Sequence, residues 1–251
     1  MPIADRNEMN VAVVSQARMT STRLPGKVLK EVGGRSLLCY HAERIRTHVP
    51  RFIVATTSNR EDDPIVSFCK DAGIDYYRGD EHDVLGRYFE TAQAFNLDVI
   101  VRVTSDCPLI DGANVRRGID YYIEEAGPYD YVGTSVPEKT YPLGFSFEVF
   151  SFELLREAHE NADEPKMREH VTPYMKLHKH PDTELLGCPL EHDWSSYRVT
   201  VDTPEDLELV RRLVEDYEAH EMSMEEIVEL LRKRPELQTI NNDVHQKDWD
   251  E

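Results

Sequence analysis

Short apolar strands alternate with amphipathic helices through the first two thirds of the chain, and this alternation is the strongest constraint on its fold. Segment 98–104 (DVIVRVT) is almost wholly apolar, whereas the segments between strands repeat apolar residues every three or four positions. Such strands are typical of a parallel sheet covered on both faces, so the sequence predicts an α/β fold with a mainly parallel sheet. Strands are predicted at 10–17, 51–58, 75–79, 98–104, 145–151 and 197–202, and helices at 36–47, 63–72, 83–95, 203–219 and 222–234.

The chain of 251 residues reads as one domain, because no repeat, low-complexity stretch or linker divides it. Residues 1–221 form its main part, and residues 222–251 form a C-terminal helical tail of the same domain. The cysteines stand singly, without the pairing of a zinc site or the density of a disulfide scaffold. We therefore predict that all four are free thiols: Cys39, Cys69, Cys107 and Cys188.

The charge balance narrows the possible partners. Asp and Glu number 48 against 29 Lys and Arg, a formal net charge of -19. Such a surface repels nucleic acid and anionic membranes. No apolar run approaches the roughly 20 residues of a membrane span, and the polar start is not typical of a signal peptide. We expect a cytoplasmic protein that binds neither nucleic acid nor membrane. Acid excess with only nine lysines fits a high-salt organism or a merely acidic bacterial enzyme.

One loop concentrates positive charge within this acidic chain. In a doubly wound sheet, ligands bind where the strands end at their carboxyl edge, and residues 18–30 (RMTSTRLPGKVLK) follow the first strand. The loop has four basic side chains and no acid, and Gly26 lets its backbone approach a ligand. Guanidinium and ammonium groups bind phosphate oxygens, so the loop is predicted to hold phosphates rather than to be a solvated basic loop. Its basic residues are Arg18, Arg23, Lys27 and Lys30.

The loop is not a P-loop, despite its Gly-Lys pair. The position five before Gly26 is Ser21 instead of glycine, and Val28 follows Lys27 where Ser or Thr is required.

Two aspartates end later strands of the predicted sheet. Asp106 follows the strand 98–104, and Asp202 ends the strand 197–202. Asp202 taken alone is typical of a helix cap. Both are predicted to share one sheet edge with the basic loop, where they suit Mg²⁺, which prefers one or two carboxylates plus substrate phosphates.

Six motifs in one order now point to a family. They are SQARMTSTRLPGKVLK, RGDEHDVLGRY, VRVTSDCPLID, YPLGFSFEVFS, REHVTPYM and VDTPEDLELV. The series resembles the SpsF-type cytidylyltransferases of spore coat and surface polysaccharide biosynthesis. It is more distantly similar to the CMP-sugar synthetases for 3-deoxy-manno-octulosonate and acylneuraminate. The resemblance implies a nucleotide-diphospho-sugar transferase fold, with three α/β/α layers and a mixed seven-stranded sheet, and a protein that is commonly a homodimer.

The resemblance also implies roles for particular residues. Arg18, Arg23 and Lys27 would hold the phosphates of CTP, and Asp106 and Asp202 would bind the metal. We predict that Arg18, Lys27 and the two aspartates are catalytic. Asp83 reads alternatively as a helix cap, and Arg87 as an exposed ion pair. The predicted nucleotide site comprises Ala17, Arg18, Ser21, Arg23, Lys27, Asp83, Arg87 and Thr104.

Further polar residues are candidates for an acceptor pocket, although each also has a structural interpretation. Arg102 lies in an apolar strand, where an arginine needs a partner or a ligand. Arg168 suits an acidic acceptor, as Lys166 does. His178 and His180 are expected on the surface without a metal. The predicted acceptor residues are Gly144, Glu148, Arg168 and His170.

These features predict an enzyme that transfers CMP from CTP to a sugar or sugar-acid acceptor and releases pyrophosphate, with Mg²⁺ as cofactor. CMP transfer to a phosphate or phosphonate remains an alternative. A nucleotide-sugar-dependent glycosyltransferase has a similar sheet, but its usual DxD motif is missing after the fourth strand, where the run is SDCP. A non-catalytic nucleotide-binding protein has no need of the aspartate pair together with the basic loop.

Overall fold

A seven-stranded sheet forms the centre of the fold in the computed structural model, which describes residues 9–49, 51–177 and 181–246. The strands are β1 (Val11–Gln16), β2 (Glu31–Val32), β3 (Arg35–Ser36), β4 (Phe52–Thr57), β5 (Asp75–Gly79), β6 (Val99–Thr104), β7 (Tyr131–Gly133), β8 (Glu148–Ser151) and β9 (Leu185–Gly187). Their order in the sheet is β5-β4-β1-β6-β8-β7-β9, and β2 and β3 pair separately. Only β8 runs antiparallel to its neighbours in this sheet, so the predicted mixed, mainly parallel sheet is confirmed.

Helices cover both faces of the sheet. They are α1 (Leu37–Arg46), α2 (Asp63–Asp71), α3 (Val84–Ala94), α4 (Gly112–Glu125), α5 (Phe152–Asn161), α6 (Pro165–His170), α7 (Pro173–Lys176), α8 (Pro204–Tyr217), α9 (Met224–Lys233) and α10 (Pro235–Gln238). In the part of the chain that the structure describes, none of them is long and apolar enough to cross a membrane.

The core has two halves because successive strand residues point to opposite faces of the sheet. Val13 packs in a cluster with residues of α1, α4, α8 and α9, and its neighbour Val14 packs in a second cluster with residues of α3 and α5. The apolar side chains Met224, Ile227 and Leu231 of α9 belong to the first cluster. The C-terminal helices therefore pack on the same core as the sheet.

One predicted strand is wrong. Residues 197–202 form a single bridge, between Arg198 and Leu143, instead of a ladder. Val199 donates its backbone N–H to Leu143, whereas Val201 donates its own to Asp106, over distances of 2.8 Å each. Because its hydrogen bonds go to two different segments, this stretch crosses between them without joining the sheet.

The four cysteines are free, as predicted, and Cys69 and Cys107 are buried. His178 and His180 lie outside the described residues, so their expected surface position stays a prediction.

Candidate active site

The candidate site lies where β1 and β6 end side by side. Gln16 and Thr104, the last residues of the two strands, are partners in the parallel ladder. The chain turns away from the sheet at both positions and leaves a cavity of about 250 Å³. Predicted residues that line this cavity are Ala17, Arg18, Ser21, Arg23, Lys27, Arg87, Thr104, Asp106, His170 and Asp202.

Lys27 is the centre of one wall of the cavity. It begins a short 3-10 helix, Lys27–Leu29, directly after Gly26. Its Nζ lies 2.8 Å from Asp106 Oδ2 and 2.8 Å from Asp202 Oδ1, so one lysine joins residues that are 79 and 175 positions away. Burial lowers the pKa of Lys27, but the two carboxylates outweigh it and raise the pKa above its usual value. The lysine is therefore fully charged at neutral pH.

Gly26 was expected to let the backbone of the loop approach a ligand, but in the structure it has a different role. It has a φ of 68°, in the left-handed region that favours glycine, and donates its N–H to Met19 O at 2.8 Å. A Cβ at this position would lie 3.2 Å from Cε of Met19, and Gly26 does not line the cavity. The glycine turns the chain so that Lys27 points inward.

Asp106 is held in its ionised form. Burial raises the pKa of this carboxyl. The charge of Lys27 and the hydrogen bond from Lys27 outweigh that effect and lower the pKa to about 2. The residue stands in the turn immediately after β6, whose backbone is tied to β1 because Ser105 N donates to Gln16 O at 3.1 Å. The sheet thus fixes the position of the carboxylate.

Asp202 is not the cap of α8, although its position resembles one. Thr203 is the N-cap residue and forms a capping box with Asp206. The carboxylate of Asp202 is left free to pair with cations, and Arg23 lies 3.1 Å from Oδ1 while Arg198 lies 2.9 Å from Oδ2.

The two aspartates fit a magnesium ion by their chemistry. Both are hard oxygen donors that converge on one point beside a basic loop. In the ranges that the structure describes, no set of three or more His, Cys, Asp or Glu side chains is arranged to hold a metal. Magnesium is commonly bound by one or two carboxylates together with substrate phosphates, and the donor set here matches that pattern.

Glu81 is a neighbour of the basic loop that sequence reasoning missed. Its carboxylate accepts a hydrogen bond from Thr20 Oγ1 at 2.5 Å and from Asn59 Nδ2 at 2.6 Å. It also lies 3.7 Å from the guanidinium of Arg18. The loop itself has no acid, but a carboxylate from a distant turn balances part of its charge.

A buried chain of polar groups supports the turn that carries Asp106. His41 Nδ1 lies 2.8 Å from Cys107 O, its Nε2 lies 2.9 Å from Ser15 Oγ, and Ser15 Oγ lies 2.7 Å from Ser105 Oγ. Burial lowers the pKa of His41 to about 4, so the ring is neutral. A carbonyl only accepts, so the ring donates to Cys107 O and accepts from Ser15, which accepts from Ser105. A serine within β1 and a serine directly after β6 were the sequence signals for this chain.

Arg87 is buried, contrary to the alternative of an exposed ion pair. Its side chain lines the cavity and is 2% exposed. One guanidinium nitrogen donates to Asp80 O at 2.8 Å, and the buried Nε has no hydrogen-bond partner. Among the described residues, no carboxylate lies at ion-pair distance from it.

Glu148 is the centre of a second charged cluster, beneath the cavity. It is 5% exposed and accepts from Arg102, Tyr131 Oη at 2.7 Å and Thr172 Oγ1 at 2.9 Å, while Lys176 Nζ lies 2.5 Å away. Burial raises its pKa, but the two cations hold it well below the usual range. Glu148 therefore positions Arg102, which lines the cavity, and does not itself face an acceptor.

Two further candidates have structural roles. Gly144 lies outside the cavity with a φ of 112°, and a Cβ there would lie 2.9 Å from the backbone N of Thr200. Arg168 forms two hydrogen bonds with Asp83, at 3.0 and 2.6 Å, in a depression beside the cavity. Asp83 also caps α3 through Gly86 N at 2.8 Å, as its alternative interpretation predicted. Of the four predicted acceptor residues, His170 lines the cavity.

Known proteins resemble this chain along almost all of its length. The family model for cytidylyltransferases matches residues 12–243. An uncharacterised protein of Methanocaldococcus jannaschii is 35% identical over 97% of this chain and 99% of its own. The spore coat polysaccharide biosynthesis protein SpsF of Bacillus subtilis is 31% identical, over 92% and 97%. A solved cytidylyltransferase from Leptospira borgpetersenii has a TM-score of 0.87 at 31% identity, over 96% and 100%.

The fold is that of a nucleotidyltransferase. More particularly, the chain belongs to the cytidylyltransferase family.

Proposed function

We propose that the protein transfers CMP from CTP to an acidic, sugar-type acceptor and releases pyrophosphate. The observation that carries this proposal is the convergence of Lys27, Asp106 and Asp202 beside a basic loop. Three distant segments of the chain supply these charges to one cavity. A chain that only bound a nucleotide would have no need of two aspartates held against the lysine of the basic loop.

The basic loop binds the triphosphate in this proposal. Arg18 and Arg23 offer planar guanidinium groups to the phosphate oxygens, and Lys27 offers a compact charge. Arg23 and Lys27 already contact Asp202, so a bound triphosphate competes with the carboxylates for these cations. The remaining nucleotide contacts are proposed for Ala17, Ser21, Arg87 and Thr104, which line the same cavity, and for Asp83 at its edge.

Asp106 and Asp202 would hold Mg²⁺, which when bound neutralises charge on the phosphate oxygens. Asp106 is ionised throughout the neutral pH range, since its pKa is about 2. An acceptor oxygen attacks the α-phosphorus in line, and the bond to the oxygen that bridges to the β-phosphate breaks. Arg18 and Lys27 stabilise the negative charge that develops on the leaving pyrophosphate.

The acceptor is proposed to be acidic because the inner wall of the cavity has too few anions. Arg87 is assigned to the nucleotide, but Arg102 also lines the cavity and shares its carboxylate partner, Glu148, with Lys176. A buried cation without a counter-charge is costly, and an anionic group of a ligand offsets that cost. A neutral polyol or an amino sugar would not offset it.

Pyrophosphate release with each nucleoside triphosphate and a panel of acceptors tests the proposal. We expect turnover with CTP and Mg²⁺ only, and with a sugar acid but not with its neutral hydroxymethyl analogue or a hexosamine. A polyol phosphate and a phosphonate are tested as the other possible acceptors in the same assay. CTP should also raise the melting temperature more than ATP or GTP does. Equal stabilisation by all triphosphates would mean that the base is not recognised, and turnover of the neutral analogue would contradict the acidic acceptor.

The cellular setting is proposed from the relatives. The named relative in Bacillus subtilis is a spore coat polysaccharide biosynthesis protein, which supports a role in surface polysaccharide biosynthesis. A cytoplasmic location and a homodimer stay predictions, and light scattering on the purified protein measures the oligomeric state.

A further inference from the structure

The C-terminal segment lies directly behind Asp202. After α10 the chain reaches Asn241, which is 6% exposed. Its Nδ2 donates to Asp206 Oδ1 at 2.8 Å and to Arg198 O at 3.4 Å. Gln246 accepts from the guanidinium of Arg198 at 2.5 Å. The segment thus contacts the two residues that hold Asp202 from behind.

Asp206 is the fixed point of this arrangement. It is fully buried, and two parallel hydrogen bonds of 2.8 Å join its carboxylate to Arg198. The same carboxylate accepts the backbone N–H of Asp202 at 2.9 Å and that of Thr203 at 3.1 Å. With Asn241, five donated hydrogen bonds converge on one carboxylate, which leaves it no freedom to rotate.

Arg198 connects the fixed carboxylate of Asp206 to the carboxylate of Asp202. One of its nitrogens donates both to Asp206 Oδ2 at 2.8 Å and to Asp202 Oδ2 at 2.9 Å. Since Oδ2 of Asp202 is occupied from behind, Oδ1 is the oxygen that faces Lys27. The orientation of the carboxylate is therefore set by residues that do not line the cavity.

We propose that Arg198, Asp206 and Asn241 are positioning residues that aim Asp202 at the cavity, so that the C-terminal segment completes the active site. This inference rests on the proposed function of Asp202. Helix capping alone does not explain the arrangement, because the capping box of α8 requires only Thr203 and Asp206. The partly buried Arg198 and the buried Asn241 are polar groups beyond that requirement.

The test compares two variants of the full chain. Asn241→Leu keeps a similar volume but removes the donor to Asp206. Leu237→Ala removes a core side chain of α10 that is 1% exposed and is apolar, so it takes no part in the hydrogen bonds among Arg198, Asp206 and Asn241. We measure the melting temperature, kcat, and CTP affinity with and without Mg²⁺ by calorimetry, at a temperature where both variants are folded.

Loss of a group that orients a metal ligand typically costs about 10- to 100-fold in metal affinity or activity. Asn241→Leu should lower kcat by about that factor and weaken CTP binding only when Mg²⁺ is present, because the basic loop is unchanged. Leu237→Ala should lower the melting temperature and leave kcat intact. An Asn241→Leu enzyme with wild-type kcat and metal dependence overturns the proposal, as does a kcat that follows the melting temperature in both variants.

Arg198→Lys is the second variant, in case Asn241→Leu does not fold. A lysine keeps the charge but cannot bridge two carboxylates as the guanidinium does, so the same metal-dependent loss is expected. A crystal structure of either variant provides a measurement without turnover. If Asp202 keeps its orientation there, the proposal is wrong. If the wild-type chain releases no pyrophosphate from CTP, the proposed function fails instead, and the crystal structure still decides the positioning role.

Discussion

Two charged clusters, one on a wall of the cavity and one beneath it, have opposite arrangements of charge. In the first cluster, which we call the mouth, one cation, Lys27, lies between Asp106 and Asp202. In the second, beneath the cavity, one anion, Glu148, lies between Arg102 and Lys176. All three residues of the first cluster line the cavity, so its ions can exchange partners with a ligand. In the second cluster, Glu148 does not line the cavity and accepts two further hydrogen bonds, from Tyr131 and Thr172. The comparison separates the cluster that we propose to be catalytic from one whose charges are satisfied within the protein.

The largest effect is expected from the aspartates of the mouth. Asp106→Asn and Asp202→Asn should each abolish turnover, by about 1,000-fold or more, while CTP binding weakens only modestly because the basic loop remains. The double variant should be little worse than either single variant, since the two residues act as a unit. Steady-state kinetics and calorimetry measure both quantities.

Asp120→Asn is the matched control for that prediction, because Asp120 is an exposed aspartate paired only with Arg116 on α4. If Asp202→Asn kept its activity and lost only stability, Asp202 would have a structural role, and the distinction between the two clusters would fail.

Glu148→Gln should affect stability more than any variant of the mouth. It leaves Arg102 and Lys176 without their shared counter-charge in a buried place, which costs about 3–5 kcal/mol. Denaturant unfolding measures this loss. Glu229→Gln is the control, because Glu229 also pairs with two cations, Arg232 and Lys233, but on the exposed surface of α9, where little change is expected. Equal effects at both positions would mean that burial does not distinguish them.

Lys27→Ala should reduce kcat/KM by the equivalent of about 1.5–3 kcal/mol, the usual size of a charge-assisted contact. The variant should fold with reduced stability, because Arg23 and Arg198 still neutralise Asp202 whereas Asp106 loses its cation. Lys70→Ala, an exposed lysine on α2, is the control. Unchanged kinetics in Lys27→Ala would show that the phosphates bind elsewhere.

The last prediction is a pH dependence of the free energy of unfolding, which comes from His41 beneath the turn that carries Asp106. Unfolded His41 binds a proton near pH 6.5 and the folded residue only near pH 4, so the unfolded state holds more protons between these values. The free energy of unfolding should fall as the pH drops from 6.5 to about 4. Protonation of Asp106 causes a separate loss of stability, which begins only below the ordinary pKa of 3.8. In His41→Gln, the free energy of unfolding should not fall between pH 6.5 and 4. If it fell as steeply as in the wild-type protein, His41 would not be the group responsible.

The sequence predicted the sheet and the mouth of the site because both depend on local patterns. Apolar strands fixed the parallel core, and the rule that ligands bind at strand ends brought Lys27 and Asp106 together. The role of Glu148 was not predictable, since a glutamate in a strand gives no sign of which cations surround it. The pairing of Arg168 was not predictable for the same reason: its partner, Asp83, is 85 residues away. The crossing segment at 197–202 has the composition of a strand, and only its two hydrogen-bond partners exclude one.

The distance along the chain between Lys27 and Asp202 has a consequence for the nascent protein. Their contact closes a loop of 175 residues, and the residues that aim Asp202 extend to position 241. Contacts of such separation form late, since the entropy of loop closure is lost before they contribute any stabilisation. During synthesis, strands β1, β4, β5 and β6 emerge from the ribosome long before Asp202 does. A ribosome-bound chain that has not yet exposed α9 and α10 therefore has the basic loop but lacks the contact of Asn241 with Asp206, and under the proposed function we expect it to be inactive.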